Sequence, residues 1–347
     1  MVISVPVRQA EDLRPRLGST VYELTDPQEL RSHARVADAR IQITAPGSYK
    51  AKLIRTGLHR LSMQEVKTTL PHIGYFAIPR NRSAFFFLDD HTSIHHTGQE
   101  LGPDQLVMEP INSEHHHRAP ADAHWRSLSL SPEDLAAAGH ALVGRELTSA
   151  AALQVIRPPP YLMSRLRRLH SAVGRLAGGA PDILACPEAA RAMEQALVQA
   201  LVACISAGTV DDVAARSHTR VPVMRRFEQV LAAHQGETLY IPEVCAKIGV
   251  SERTLRSHCQ EHLGTGPHKY LWLRRMNLVR RALTLGDPSG ASVTVIATDH
   301  GFWELGQFAV EYRRLFGESP SVTLRQPAEF RAATPGQSPL NLAFSLW

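Results

Sequence analysis

Between residues 40 and 130 the chain alternates short apolar runs with Pro, Gly and Asn breaks: RIQITAP, YKAKLIRTG, HIGYFAIP and SAFFFLDD. β-Branched and aromatic residues suit a pleated, half-buried surface, and the breaks carry turn chemistry, so the pattern predicts regularly spaced short strands in a barrel or sandwich. It changes near residue 131. SPEDLAAAGHALV opens on Ser131 with Glu133 and Asp134 in the first turn, a helix start, and no further strand is expected after it. Past the prolines at 158–160, Leu162, Leu166, Leu169, Val173 and Leu176 recur at spacings of four and three. This seam serves either packing within the protomer or, together with Met193, Leu197 and Leu201, a dimer contact. A small, polar stretch reads as a linker, and only helical segments follow it. The predicted class is α+β: a β-rich domain over 1–135, a helical dimerisation or packing segment over 136–208, a linker over 209–220, an all-α domain over 221–327 and a tail over 328–347.

The all-α part carries the most specific spacing. In IPEVCAKIGVSERTLRSHCQEHLG one helix begins at Pro242 and ends at Gly249, which tolerates the left-handed conformation, and a second opens on Ser251 as N-cap with Glu252 behind it. Val244, Ile248, Val250, Leu255 and Cys259 supply two apolar faces meeting at a steep angle, and Cys245 is small where the helices approach. That is helix-turn-helix spacing. A second copy follows in SVTVIATDHGFWELGQFAVEYRRLFG, with Val295, Ile296 and Ala297 in the first helix, His300 and Gly301 in the turn, and Leu305, Phe308, Tyr312 and Phe316 on the second apolar face. PHKYLWLRRMNLVRRALTLG joins the two copies as a single helix.

Outward positions of the first recognition helix are Ser251, Glu252, Arg253, Thr254, Arg256, Ser257 and Gln260. Arg253 and Arg256 fit bidentate pairing with guanine O6 and N7. The second helix offers Glu304, Leu305, Gly306, Gln307 and Val310, where the Gln307 amide is the candidate base reader, with Arg313 and Arg314 placed for phosphates. Arg274, Arg275, Arg280 and Arg281 on the joining helix are further candidate phosphate contacts.

The motifs GVSERTL, GTGPHKYLWLRRMNLVRRAL and GFWELGQFAVEYRRLFGESPS, spread over residues 225–327, resemble the AraC/XylS transcription regulators, and the last resembles the ethanolamine-regulator branch. The resemblance implies a regulator of double-stranded promoter DNA, an activator, whose recognition helices enter successive major-groove segments about 34 Å apart. It also implies RNA polymerase as a partner, with Trp303 and Glu304 on that surface, an N-terminal domain that binds a small-molecule effector, and a homodimer. The effector and its binding residues stay open. One alternative is an effector-free regulator whose N-terminal domain serves dimerisation or a protein partner; a more distant one is a cupin-type metalloenzyme fused to a DNA-binding domain.

Composition narrows the picture. With 44% hydrophobic and 20% charged residues the chain is globular, and its net charge of +5 over 347 residues is too small to hold DNA by bulk attraction, so placed side chains must do it. Absence of an 18-residue apolar run and of a signal-type start points to a cytoplasmic protein with no membrane partner. Cys186, Cys204, Cys245 and Cys259 show no paired spacing and read as reduced, buried thiols. His95, His96 and His115 to His117 flank a strand around Gln105 to Glu109, and a cupin-like barrel with such residues could hold a metal. Adjacent histidines point to opposite faces of a strand, however, and the alternating His-x-His is missing, so the expectation is a loop of exposed or satisfied histidines with no metal and no cofactor. Nucleophile-elbow, dinucleotide-loop and Walker-lysine motifs are all missing, so no enzyme is expected.

Overall fold

The computed structural model describes residues 17–34, 36, 38–211, 221–234 and 239–325. Its strands are β1 (Gly18–Leu24), β2 (Asp38–Ile43), β3 (Ala51–Gly57), β4 (Ser62–Thr68), β5 (His72–Ala77), β6 (Ser83–Leu88), β7 (Ile94–His96), β8 (Gln99–Leu101), β9 (Leu106–Glu109), β10 (Glu114–Ala119), β11 (His124–Leu130), β12 (Gln154–Arg157) and β13 (Thr209–Asp211). They form two antiparallel sheets, one in the order β1-β3-β4-β11-β6-β9-β12-β13 and the other β2-β5-β10-β7-β8. The architecture is a sandwich, which agrees with the α+β expectation.

The larger sheet is apolar on both faces. Its inner face packs Leu53, Val66, Leu88, Val107 and Trp125 against Ile41, Ile43, Phe76 and Ile94 of the smaller sheet. Its outer face puts Met63, Phe85, Phe87, Leu106 and Leu128 under the helices. Those helices are α2 (Pro132–Val143), α3 (Pro160–Gly179), α4 (Pro181–Ala185) and α5 (Pro187–Ala207); a short α1 (Glu29–His33) precedes β2. Helix α2 starts as its sequence predicts, the Asp134 amide donating to Ser131 Oγ at 3.1 Å.

Three expectations change here. Strands do not end at residue 131: β12 pairs with β9 and β13 with β12, so the first residues of the expected linker extend the sheet and the helical segment is part of the same layered body. Runs of three or four residues are too short to show a period. Residues 212–220 and 328–347 lie outside the described residues. The proposed dimer seam is also spent internally, since Leu162, Leu166 and Val173 are buried against the sheet and α5, and Leu169 and Leu176 pack at the rim of that core.

After Gly208 and β13 come α6 (Val221–Ala233), α7 (Ile241–Ile248), α8 (Glu252–Leu263), α9 (Pro267–Leu285), α10 (Val293–Asp299), α11 (Leu305–Phe316) and α12 (Pro320–Arg325). One core holds them together, from Phe227, Val244 and Leu255 through Tyr270, Met276 and Val279 of α9 to Ala297, Phe308 and Tyr312; Ile73 of the smaller sheet joins it. The helical domain therefore sits on the outer face of that sheet. Asn277 of α9 accepts from the Ile43 amide at 3.3 Å.

The centre of this contact is Glu228 of α6, whose side chain is 1% exposed. Its carboxylate takes Arg40 Nη1 at 2.9 Å, His116 Nε2 at 3.0 Å and the Tyr270 hydroxyl at 2.6 Å, with Arg274 Nη1 at 3.7 Å. Burial alone would push its pKa up, but the His116 hydrogen bond and the charges of Arg40 and Arg274 outweigh it and hold the group well below the usual carboxylate range. Truncating one member of a buried, hydrogen-bonded charge cluster strands the others. Glu228→Ala should therefore destabilise the folded protein by about 3 to 5 kcal/mol in urea denaturation. Arg225→Ala, which removes a half-exposed pair with Glu114 at 3.6 Å, should cost less than about 1 kcal/mol. Equal losses would show that Glu228 does not organise the interface.

Candidate nucleic-acid interface

Both helix-turn-helix units form where the spacing places them. Helix α7 ends at Gly249, whose φ of 72° is the left-handed turn that a β-carbon would disfavour. Helix α8 opens on Ser251, and the Thr254 amide donates to Ser251 Oγ at 3.1 Å. Ser251 and Thr254 thus spend their hydroxyls on each other and on the cap, 2.8 Å apart. The outward face of α8 carries Glu252, Arg253, Arg256, Ser257 and Gln260, all exposed, while Leu255 and Cys259 are buried. Among the described residues neither Arg253 nor Arg256 is held in an ion pair, which leaves both guanidinium forks available to an anion or a base edge. The far end of α8 lies against β10, with the Glu261 side chain over Gly98 and the Arg118 side chain over Gly264.

In the second unit Gly301 takes the turn with φ 77°, and Phe302 and Phe308 are buried on either side of the start of α11. Glu304, Gly306, Gln307, Val310, Arg313 and Arg314 are exposed, and Leu305 is half-buried against the core. Trp303 is 75% exposed, a large aromatic surface open to solvent. Gln307 is tethered along the helix: its Nε2 donates to Glu311 Oε1 at 3.0 Å, and Glu311 Oε2 in turn accepts from Trp272 Nε1 at 2.9 Å.

The joining helix departs from expectation. Arg274 is 7% exposed and donates to the Leu231 carbonyl at 2.9 Å beside Glu228, so it faces the protein interior and is not a phosphate contact. Arg275 lies 5.2 Å over the Phe302 ring, and Arg280 lies 4.7 Å over Phe316 with Glu318 at 3.8 Å. These arginines brace the second unit against its spine. Arg281 is half-buried. Helical periodicity marks all four as polar positions; it does not show that a sheet and a second helical unit cover most of that face.

The histidines, expected as a loop of exposed or satisfied side chains, lie on strands and not in a loop, and His116 and His117 are satisfied. His115, His116 and His117 form β10, and adjacent residues do point to opposite faces, but each face is occupied. His116 turns outward to Glu228. His117 turns inward, its Nε2 3.3 Å from His72 Nε2. His115 turns inward as well and meets His96 of β7 and Glu109 of β9, the three ligand atoms lying within 4.8 Å of one another. Sequence spacing on one strand could not reveal this, because the group draws one residue from each of three strands. Of the cysteines, Cys204, Cys245 and Cys259 are buried as expected, with burial pushing the Cys204 and Cys259 thiols up to about 12, whereas Cys186 is exposed. Among the described residues no helix is long and apolar enough to cross a membrane.

A family model described as a helix-turn-helix domain matches residues 244–326. The chain is 34% identical over 169 residues to the probable thc operon regulatory protein of Rhodococcus erythropolis, covering 45% of this chain and 51% of that one. It is 36% identical over 107 residues to the XylDLEGF operon transcriptional activator of Pseudomonas putida, covering 30% of this chain and 33% of that one. The chain thus spans about half and a third of the lengths of these curated relatives. Neither name speaks to the ethanolamine-regulator branch. The crystal structure of the AraC-like transcriptional activator CuxR is similar at 17% identity and a TM-score of 0.40, over 75% of this chain and 94% of that one. With two helix-turn-helix units on one helix and a helix-turn-helix model over residues 244–326, the C-terminal domain is a helix-turn-helix domain similar to those of AraC/XylS-type regulators.

Proposed function

We propose that the chain is a sequence-specific regulator of transcription that binds double-stranded promoter DNA through α8 and α11 and activates by contact with RNA polymerase. The observation that carries this reading is the pair of recognition helices, each exposed along its outer face and both seated on α9 in a single core. Arg253 and Arg256 are base readers in this reading. Arg313 and Arg314, near the far end of α11, are phosphate contacts, and Trp303 with Glu304 forms the polymerase-facing surface. The named activator among the relatives supports activation. The protein acts in the cytoplasm, as a homodimer.

The sandwich is the sensor in this reading. Between its sheets lies a cavity lined by Val66, Phe76, Phe86, Trp125 and Leu128, with Arg82 and Glu109 as its charged groups. This lining suits a small effector with an apolar body and a polar end. The Glu228 cluster supports communication from sensor to reader, because β2 and β10 meet α6 and α9 there.

The test is selection of a binding site from random duplexes by the full chain, followed by binding measurements on single-base-pair changes of that site. Arg253→Ala and Arg256→Ala should each lose about 1 to 3 kcal/mol, confined to one or two base pairs. Arg313→Ala should weaken binding to every sequence by a similar factor. A uniform loss for Arg253→Ala and Arg256→Ala would reduce them to phosphate clamps and overturn the assignment.

Affinity should also fall steeply with salt, since each phosphate contact releases condensed counterions. Titrations between about 50 and 200 mM salt check this. A flat response would sink the proposed interface.

A further inference from the structure

Among the described residues, no lysine or arginine forms an ion pair with the buried Glu109 carboxylate between the two sheets. Glu109 projects inward from β9 of the larger sheet, and its side chain is 3% exposed. Facing it from the smaller sheet are His96 of β7, 1% exposed, and His115 of β10. His96 Nε2 stands 2.7 Å from Glu109 Oε1, and His115 Nδ1 stands 3.5 Å from the same oxygen. Despite these distances, both ring nitrogens of His96, His115 Nδ1 and Glu109 Oε1 lack a partner in hydrogen-bonding geometry. An uncompensated carboxylate in an apolar interior is unfavourable, and orphaned buried polar atoms add to that, so the arrangement calls for a further group at the point where they converge.

We propose that His96, Glu109 and His115 form a binding site for one divalent first-row transition-metal ion of the zinc or iron(II) class. Two imidazoles and a carboxylate are the donor set that such ions take. Ligand atoms held about 2.0 to 2.2 Å from an ion stand roughly 3 to 3.5 Å apart; here two of the separations are 2.7 and 3.5 Å and all lie within 4.8 Å, so small side-chain shifts would close the group around one ion. Three protein ligands leave coordination positions open. Glu109 and His115 also line the cavity between the sheets, so those open positions face it and would take a small oxygen-donor ligand or water.

The site is distinct from DNA reading, and its test does not depend on it. The full chain, stripped with chelator and dialysed, is titrated with Co2+ and with Zn2+ by calorimetry, with Co2+ absorption as a second reading. We expect one equivalent per chain, cobalt d–d bands, and a rise in the thermal midpoint on metal addition. His115→Gln and Glu109→Gln should each weaken binding by roughly a hundredfold or more. His95→Gln, on the outward side of β7, should leave it unchanged. Circular dichroism of the metal-free variants establishes that they fold; should Glu109→Gln fail to fold, His115→Gln and the wild-type stoichiometry decide the matter. No binding by wild type overturns the proposal, as does weak binding of several equivalents that His115→Gln leaves unaltered, the behaviour of scattered surface histidines.

Discussion

A single buried charge fixes how the two halves of this molecule meet. Glu228 belongs to the first helix of the helical domain, yet its partners come from β2, β10 and α9. Because a carboxylate at that depth is tolerable only when its oxygens are filled, the helical domain cannot slide or rotate on the sheet without exposing at least one unpaired charge. Arg40 is itself fixed, 4.2 Å over the Tyr75 ring. The position of α9, and with it both recognition helices, follows from this constraint.

The helix-turn-helix units were legible in the sequence because what defines them is local. Gly249, Ser251 and the spacing of Val244, Leu255 and Cys259 specify turn, cap and packing within two dozen residues. Roles that depend on distant neighbours were not legible. Arg274 and Arg253 look alike in the one-dimensional pattern, but one faces a buried glutamate and the other faces outward. In the sandwich, β3 and β6 could be read from their composition, whereas β7, β8, β12 and β13 span three or four residues and show no alternation. The Phe85 to Phe87 run conceals its period for another reason: both faces of that sheet are covered, one by helices and one by the second sheet.

Strand β10 is the element that the interior cluster and the domain interface share. Its pleat sends His115 and His117 into the sandwich and His116 out to Glu228, so three consecutive histidines serve two environments. Reading the trio as one surface feature misses that the pleat divides it. Gly74 of β5, paired with His117 of β10, completes the arrangement, since a β-carbon there would stand 2.6 Å from His117 Nε2.

The shared core of the described C-terminal helices has a consequence for the nucleic acid rather than for the protein. Both recognition helices are cemented to α9, so their separation is set before any duplex arrives. If both helices enter the groove as proposed, any mismatch between that separation and the helical repeat would be absorbed by curvature of the DNA, at a cost of about 1 to 6 kcal/mol for a bend of some tens of degrees. Flexible pyrimidine–purine steps between the two contacted segments would lower that cost, and the protein would favour them at base pairs it never touches.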